Sequence, residues 1–147
     1  MERTSNDLAS LIKYATTGSQ PLYWLPALHI LMTVEPGFLR ADGPPHALLS
    51  YVTGTGIDFW TMVEEYHFTG AQRQAILAAW ELFNNGAGRD GPHAKFWDVC
   101  FRLDKGNFRA VMDGMRVRTG RDLGLRIQRR LLAELLNVLE EWKEAGL

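Results

Sequence analysis

The chain has 147 residues with 46% apolar and 22% charged side chains. That is ordinary globular composition, long enough to bury one substantial core without disulfide staples, and it excludes a disordered or fibrous polymer. The net charge of −1 argues against a strongly basic nucleic-acid module. The single cysteine, Cys100, excludes a disulfide framework and makes the reducing cytoplasm the expected compartment. The N-terminal stretch lacks a charged-then-apolar signal pattern, and no run reaches the roughly 18 apolar residues of a membrane span. No membrane partner is expected.

In chain order, Ser5 or Asn6 can cap a first helix whose apolar positions Leu8, Leu11, Ile12 and Ala15 recur at helical spacing; Gly18 ends it. The next segment, PLYWLPALHILMTVEPG, is apolar almost all round, which predicts a buried helix opened by Pro21 or Pro26 and stopped at Pro36-Gly37. Two prolines so close together argue against a central strand. Residues 38–43 read as a loop, and Pro44-Pro45 then opens a short helix, His46–Thr53, ended by Gly54. The segment 57–68, IDFWTMVEEYHF, fits a helix with Phe59, Met62, Val63 and Tyr66 on one face, although its aromatic content also suits an extended strand.

Thr69 with Gln72 makes a capping box ahead of a helix over Ala71–Asn84, stopped by Asn84-Asn85-Gly86. Asp90-Gly91-Pro92 opens a helix to Leu103, with Phe96, Trp97, Cys100 and Phe101 turned inward; Asp104-Lys105-Gly106 breaks it. Phe108, Val111, Met112 and Met115 form the next apolar stripe, closing at Gly120. The last run, 122–146, carries two interleaved stripes: Ile127, Leu131, Leu135, Val138 and Trp142, then Leu125, Leu132, Leu136 and Leu139. Together they cover an arc of roughly 220°, where a surface helix needs only about 100°. This helix, on the order of 36 Å long, therefore has neighbours on two sides. The sum is an all-α, single-domain bundle over residues 1–147, with about six or seven helices organised around a long C-terminal helix.

Few residues suggest chemistry. Gly86-Ala87-Gly88-Arg89-Asp90-Gly91 matches G-x-G-x-x-G, but a helix precedes it where a dinucleotide site needs a strand. Arg89 and His93, at the start of a helix, leave an anion-binding role open there. Glu64-Glu65-Tyr66-His67 contains one Glu-x-x-His and lacks the second such motif of a di-iron bundle. His29, His46, His67 and His93 follow no zinc spacing, and His29 reads as a hydrogen-bonded core histidine. Cys100 reads as a small buried hydrophobe. No nucleophile elbow or Walker loop occurs, so neither cofactor nor metal is expected. The L-x-x-L-L spelling of Leu132–Leu136 reads as packing.

Charge gives the sharper signal. Residues 1–101 carry −4, residues 102–130 carry +6 and residues 131–147 carry −3. Arg126, Arg129 and Arg130 gather near the N-terminal end of the long helix, with Glu140, Glu141 and Glu144 at its other end, an order opposed to the helix dipole. An antiparallel two-fold pairing of this helix would set each basic end against the partner's acidic end, with Leu125, Leu132, Leu136 and Leu139 as the seam. The alternative is phosphate binding through Arg116, Arg118, Arg121, Arg126, Arg129 and Arg130, as in a nucleic-acid-associated protein. Residues 107–132 imitate a helix-turn-helix, but the second helix is too apolar to present a recognition face. A third reading is an enzyme with a site at Glu64, Glu65 and His67. The expectation is a small cytoplasmic protein acting through protein–protein contact, a homodimer with a regulatory or accessory rather than catalytic part.

Overall fold

The computed structural model describes residues 4–41, 47–53, 56–84, 90–120 and 122–147. It is an all-α bundle with eight α-helices among the described residues: α1 (Ser5–Ala15), α2 (Pro21–Val34), α3 (Ala47–Ser50), α4 (Phe59–Glu65), α5 (Gly70–Asn84), α6 (Phe96–Arg102), α7 (Lys105–Arg118) and α8 (Asp122–Glu144). A single 3-10 turn, Pro36–Phe38, follows α2.

Local chemistry sets most helix ends. Thr4, not Ser5 or Asn6, caps α1, because only Thr4 has an acid three residues on: its hydroxyl accepts from the Asp7 amide while the Asp7 carboxylate accepts from the Thr4 amide. Thr69 and Gln72 form the expected box at α5. The break expected at Asp104 falls between α6 and α7, and Asp104 also starts the second of them: its carboxylate accepts from the Asn107 amide as the N-cap of α7.

Three expectations change. The short helix stops at Ser50, and Val52–Thr53 (β1) pairs antiparallel with Gly56–Ile57 (β2), Val52 opposite Ile57. β-Branched side chains favour that extended pairing. The expected opening of that helix at Pro44-Pro45 and His46, and its stop at Gly54, lie outside the described residues. The aromatic segment is helical only from Phe59, capped by Asp58, whose carboxylate accepts from the Thr61 amide and hydroxyl. On α7 the inward face is Asn107, Ala110, Val111, Gly114 and Val117. Phe108 and Met112 sit at its margin and Met115 is exposed, so the stripe lies rotated from the one predicted.

The core is continuous. At its centre is α2, as apolar as its sequence promised: Trp24, Leu25, Leu28, Ile30 and Leu31 are fully buried, and α1, α5, α7 and α8 all pack on it. α8 closes one side. Ile127, Leu131, Leu135 and Trp142 face the core, and the Trp142 indole N–H donates to the Leu39 carbonyl over 2.7 Å. The turn from α7 brings α8 in tightly at Gly124, where a Cβ would collide with the Arg116 carbonyl. The chain closes on itself as the Ser5 amide donates to the Leu147 carbonyl.

Candidate functional site: two outward apolar faces

With the core face of α8 committed, its second stripe divides. Leu125 is 48% exposed and Leu136 45%, with Leu132 half-buried between them. Leu139 is 8% exposed and belongs to the core, so it is unavailable to a seam. On a 100° wheel Leu125, Leu132 and Leu136 fall within about 40° of one another, a narrow row roughly 110° from the core face. Arg126 and Arg129 border this row at one end, Glu140 and Glu144 at the other, and all four are exposed. Beside it a groove of about 260 Å³ runs against Thr16, Pro21 and Leu25 of the α1–α2 corner.

The arginines do not form one basic face. Asp113, only 5% exposed, holds Arg116 at 3.3 Å and Arg130 at 3.0 Å, tying α7 to α8. Arg118 lies 4.1 Å over the Tyr23 ring and donates to the Leu82 carbonyl. Arg121 and the Gly86–Arg89 part of the glycine-rich loop lie outside the described residues. Arg126 and Arg129 are the two members of the cluster that border the leucine row.

The enzyme residues separate as well. Glu64 accepts from the Trp60 indole N–H at 2.7 Å, and Glu65 is exposed. His67 lies beyond the end of α4, past an extended Tyr66, so Glu64 and His67 do not share a helical face. Among the described residues no group of three or more His, Cys, Asp or Glu side chains is placed to hold a metal ion. His29 lines a cleft of about 330 Å³ with Asp113, Arg130 and Glu134, and burial holds its pKa below the ordinary histidine value against the opposing pull of the Glu134 and Asp113 charges. The carboxylate nearest to acid–base use there, Asp113, is engaged by the two arginines.

The second outward face was not anticipated. Phe96, Trp97 and Phe101, expected inward, stand 71%, 68% and 74% exposed, and α6 has no buried residue; Cys100 is half-buried. The rings form a ladder: Phe96 meets Trp97 edge-on at 5.6 Å, and Trp97 stacks on Phe101 at 5.3 Å and 14°. α6 starts at Phe96 rather than Pro92, because the preceding segment is fastened to α5 in extended form. There Glu81 accepts from the Ala94 amide and contacts the His93 ring nitrogen, while the Lys95 amide donates to Gln74. Gly91 has φ of +96°, and a Cβ there would come within 2.7 Å of the Trp60 ring. Val99 and Leu103 are the side chains through which α6 meets the core. Between α5, α6 and α7 lies an apolar groove of about 470 Å³, walled by Ala78, Leu82, Phe96, Val99, Val111 and Met115. Five of the seven α6 positions are apolar, which hid this face, since periodicity selects no side in so short a helix. No helix among the described residues is long and apolar enough to cross a membrane. No protein-family model matches the chain, and no curated protein or solved structure matches it.

Proposed function

We propose that this is a cytoplasmic accessory or regulatory protein that works through protein–protein contact, and that it does so as a homodimer paired along α8. The observation that carries the reading is the match of apolar row to charge order. A two-fold axis crossing between Leu132 and Leu136 sets Leu132 against the partner's Leu136 and Leu125 against the aliphatic stem of the partner's Lys143. The same register sets Arg129 near the partner's Glu140 and Arg126 near the partner's Glu144, so that one rotation satisfies every pair. Ala133, small and exposed, sits at the crossing and lets the two helices approach. A helix of 23 residues offers a contact about 34 Å long. The groove beside Leu125 and Leu132 widens that contact toward the roughly 800 Å² per partner of a standard interface. Cytoplasmic residence is supported by the lone free thiol at Cys100.

The test is solution mass by light scattering on the wild type and on Leu132→Glu with Leu136→Glu. Leu136 is exposed and Leu132 half-buried, so helical circular dichroism recorded on the variant separates loss of pairing from loss of fold. The expected result is a wild-type dimer and a folded monomeric variant; a wild-type monomer across the accessible concentration range overturns the reading.

A further inference from the structure

We infer that the cleft where α2, α7 and α8 meet binds a small zwitterion, a free α-amino acid, with its carboxylate at Arg109 and its ammonium group at Glu134. The cleft holds about 330 Å³, at the lower end of the roughly 300–1,000 Å³ of small-ligand pockets. It exists because α7 lines it with Gly106 and Ala110, where longer side chains would fill the space. The site is separate from both apolar faces: around α8, Glu134 stands roughly 160–180° from the leucine row.

The ligand class follows from the way Asp113 rearranges local pairing. Arg109 and Asp113 stand four residues apart on α7, and Arg130 and Glu134 four apart on α8, the spacing of a helical ion pair. Neither pair forms. Asp113, only 5% exposed, takes Arg116 from its own helix and Arg130 from α8, at 3.3 and 3.0 Å. The Arg109 guanidinium on one wall and the Glu134 carboxylate on another are left without a hydrogen bond or ion pair to any described residue. Opposite charges that line one cleft without joining each other answer a ligand that carries both. A simple anion would leave Glu134 facing it, and a simple cation would leave Arg109.

His29 completes the site. Expected to be a hydrogen-bonded core histidine, it is half-buried at the cleft, and its ring makes no hydrogen bond to any described residue. A polar group withdrawn from water without a partner is costly, and a ligand in the cleft supplies the partner. Burial keeps the ring uncharged near neutral pH, with one nitrogen donating and the other accepting. It can therefore bond either end of a zwitterion without upsetting the charge balance. A metal ion does not fit: among the described residues, His29, Asp113 and Glu134 are not grouped to hold one.

The experiment titrates the full-length protein by calorimetry with each standard α-amino acid, then with the N-acetyl and carboxamide derivatives of any that binds. The expected result is saturable binding of at least one amino acid with a Kd of about 1 mM or tighter. Masking either charged end should weaken it at least about tenfold, and so should Arg109→Gln or Glu134→Gln. Both residues are exposed, and circular dichroism on each variant separates loss of binding from loss of fold. The derivatives test the same two charges on the unaltered protein. The proposal is overturned if no amino acid binds in that range, if binding survives both variants, or if the masked derivatives bind as tightly as the parent. Acetate or inorganic phosphate bound as tightly as the amino acid also overturns it and reduces the cleft to an anion site. The α8 dimer is read from solution mass on a different variant, so either proposal can fail without the other.

Discussion

Helices α6 and α8 are both rich in large apolar residues, yet they use them in opposite ways. α8 drives Ile127, Leu131, Leu135 and Trp142 into the core and leaves a narrow leucine row, with Leu123 apart from it, outside. α6 has no fully buried residue and turns Phe96, Trp97 and Phe101 to solvent. Length is the first cause: 23 residues give α8 a periodic face that must find a core, whereas the seven of α6 make barely two turns. Anchorage is the second, because hydrogen bonds from the Ala94 and Lys95 amides to Glu81 and Gln74 fix the approach of α6. Apolar content alone therefore does not report burial. In this molecule the short, tethered helix supplies display and the long one supplies cohesion.

Substitutions sharpen that contrast, and the largest effect belongs to α8. Trp142→Ala removes a fully buried indole and its hydrogen bond to Leu39, and should cost about 3–5 kcal/mol in a denaturant titration. Asp113→Asn breaks the ionic tie between α7 and α8 and should cost about 1.5–3 kcal/mol by the same measurement. Gly124→Ala forces the start of α8 off the Arg116 backbone, for an expected loss of about 1–3 kcal/mol.

His29 adds a pH dependence. Burial holds its folded-state pKa below the ordinary value of about 6.5. Above that pH the ring is neutral in both states. As pH falls through it the unfolded chain takes the proton first, so stability declines with acidification, and His29→Gln flattens that part of the profile. The smallest effect belongs to α6: Trp97→Ser should change folding stability by no more than about 0.5 kcal/mol. A loss there as large as that of Trp142→Ala would erase the distinction between the two helices.

What the sequence disclosed tracks how local each determinant is. The α5 capping box, the all-round apolar α2 and the core stripe of α8 are each written within one continuous segment, and each was legible. The α1 cap lies one residue before Ser5 and two before Asn6, since both are equally good cap types and the decisive feature is the placement of Asp7. β1 and β2 are two residues each, too short for alternation to register. The ring face of α6 and the dispersal of the arginines were illegible for a different reason. Both depend on contacts between distant segments: Glu81 with residues 93–94, and Asp113 with Arg130 across two helices. The leucine row was half legible, because periodicity placed Leu125, Leu132 and Leu136 on one row without showing that Leu139 turns into the core.

The antiparallel α8 pairing is tested most directly by exchanging its charges: Arg129→Glu, Glu140→Arg and the two together, with dimer dissociation followed by analytical ultracentrifugation at low salt. Each single reversal sets like charges against each other at two symmetry-related places and should weaken the dimer, by about 0.2–1 kcal/mol per pair. The double exchange should restore wild-type association. Dimerisation that is indifferent to the single reversals, or a double variant no better than either single, would contradict the pairing.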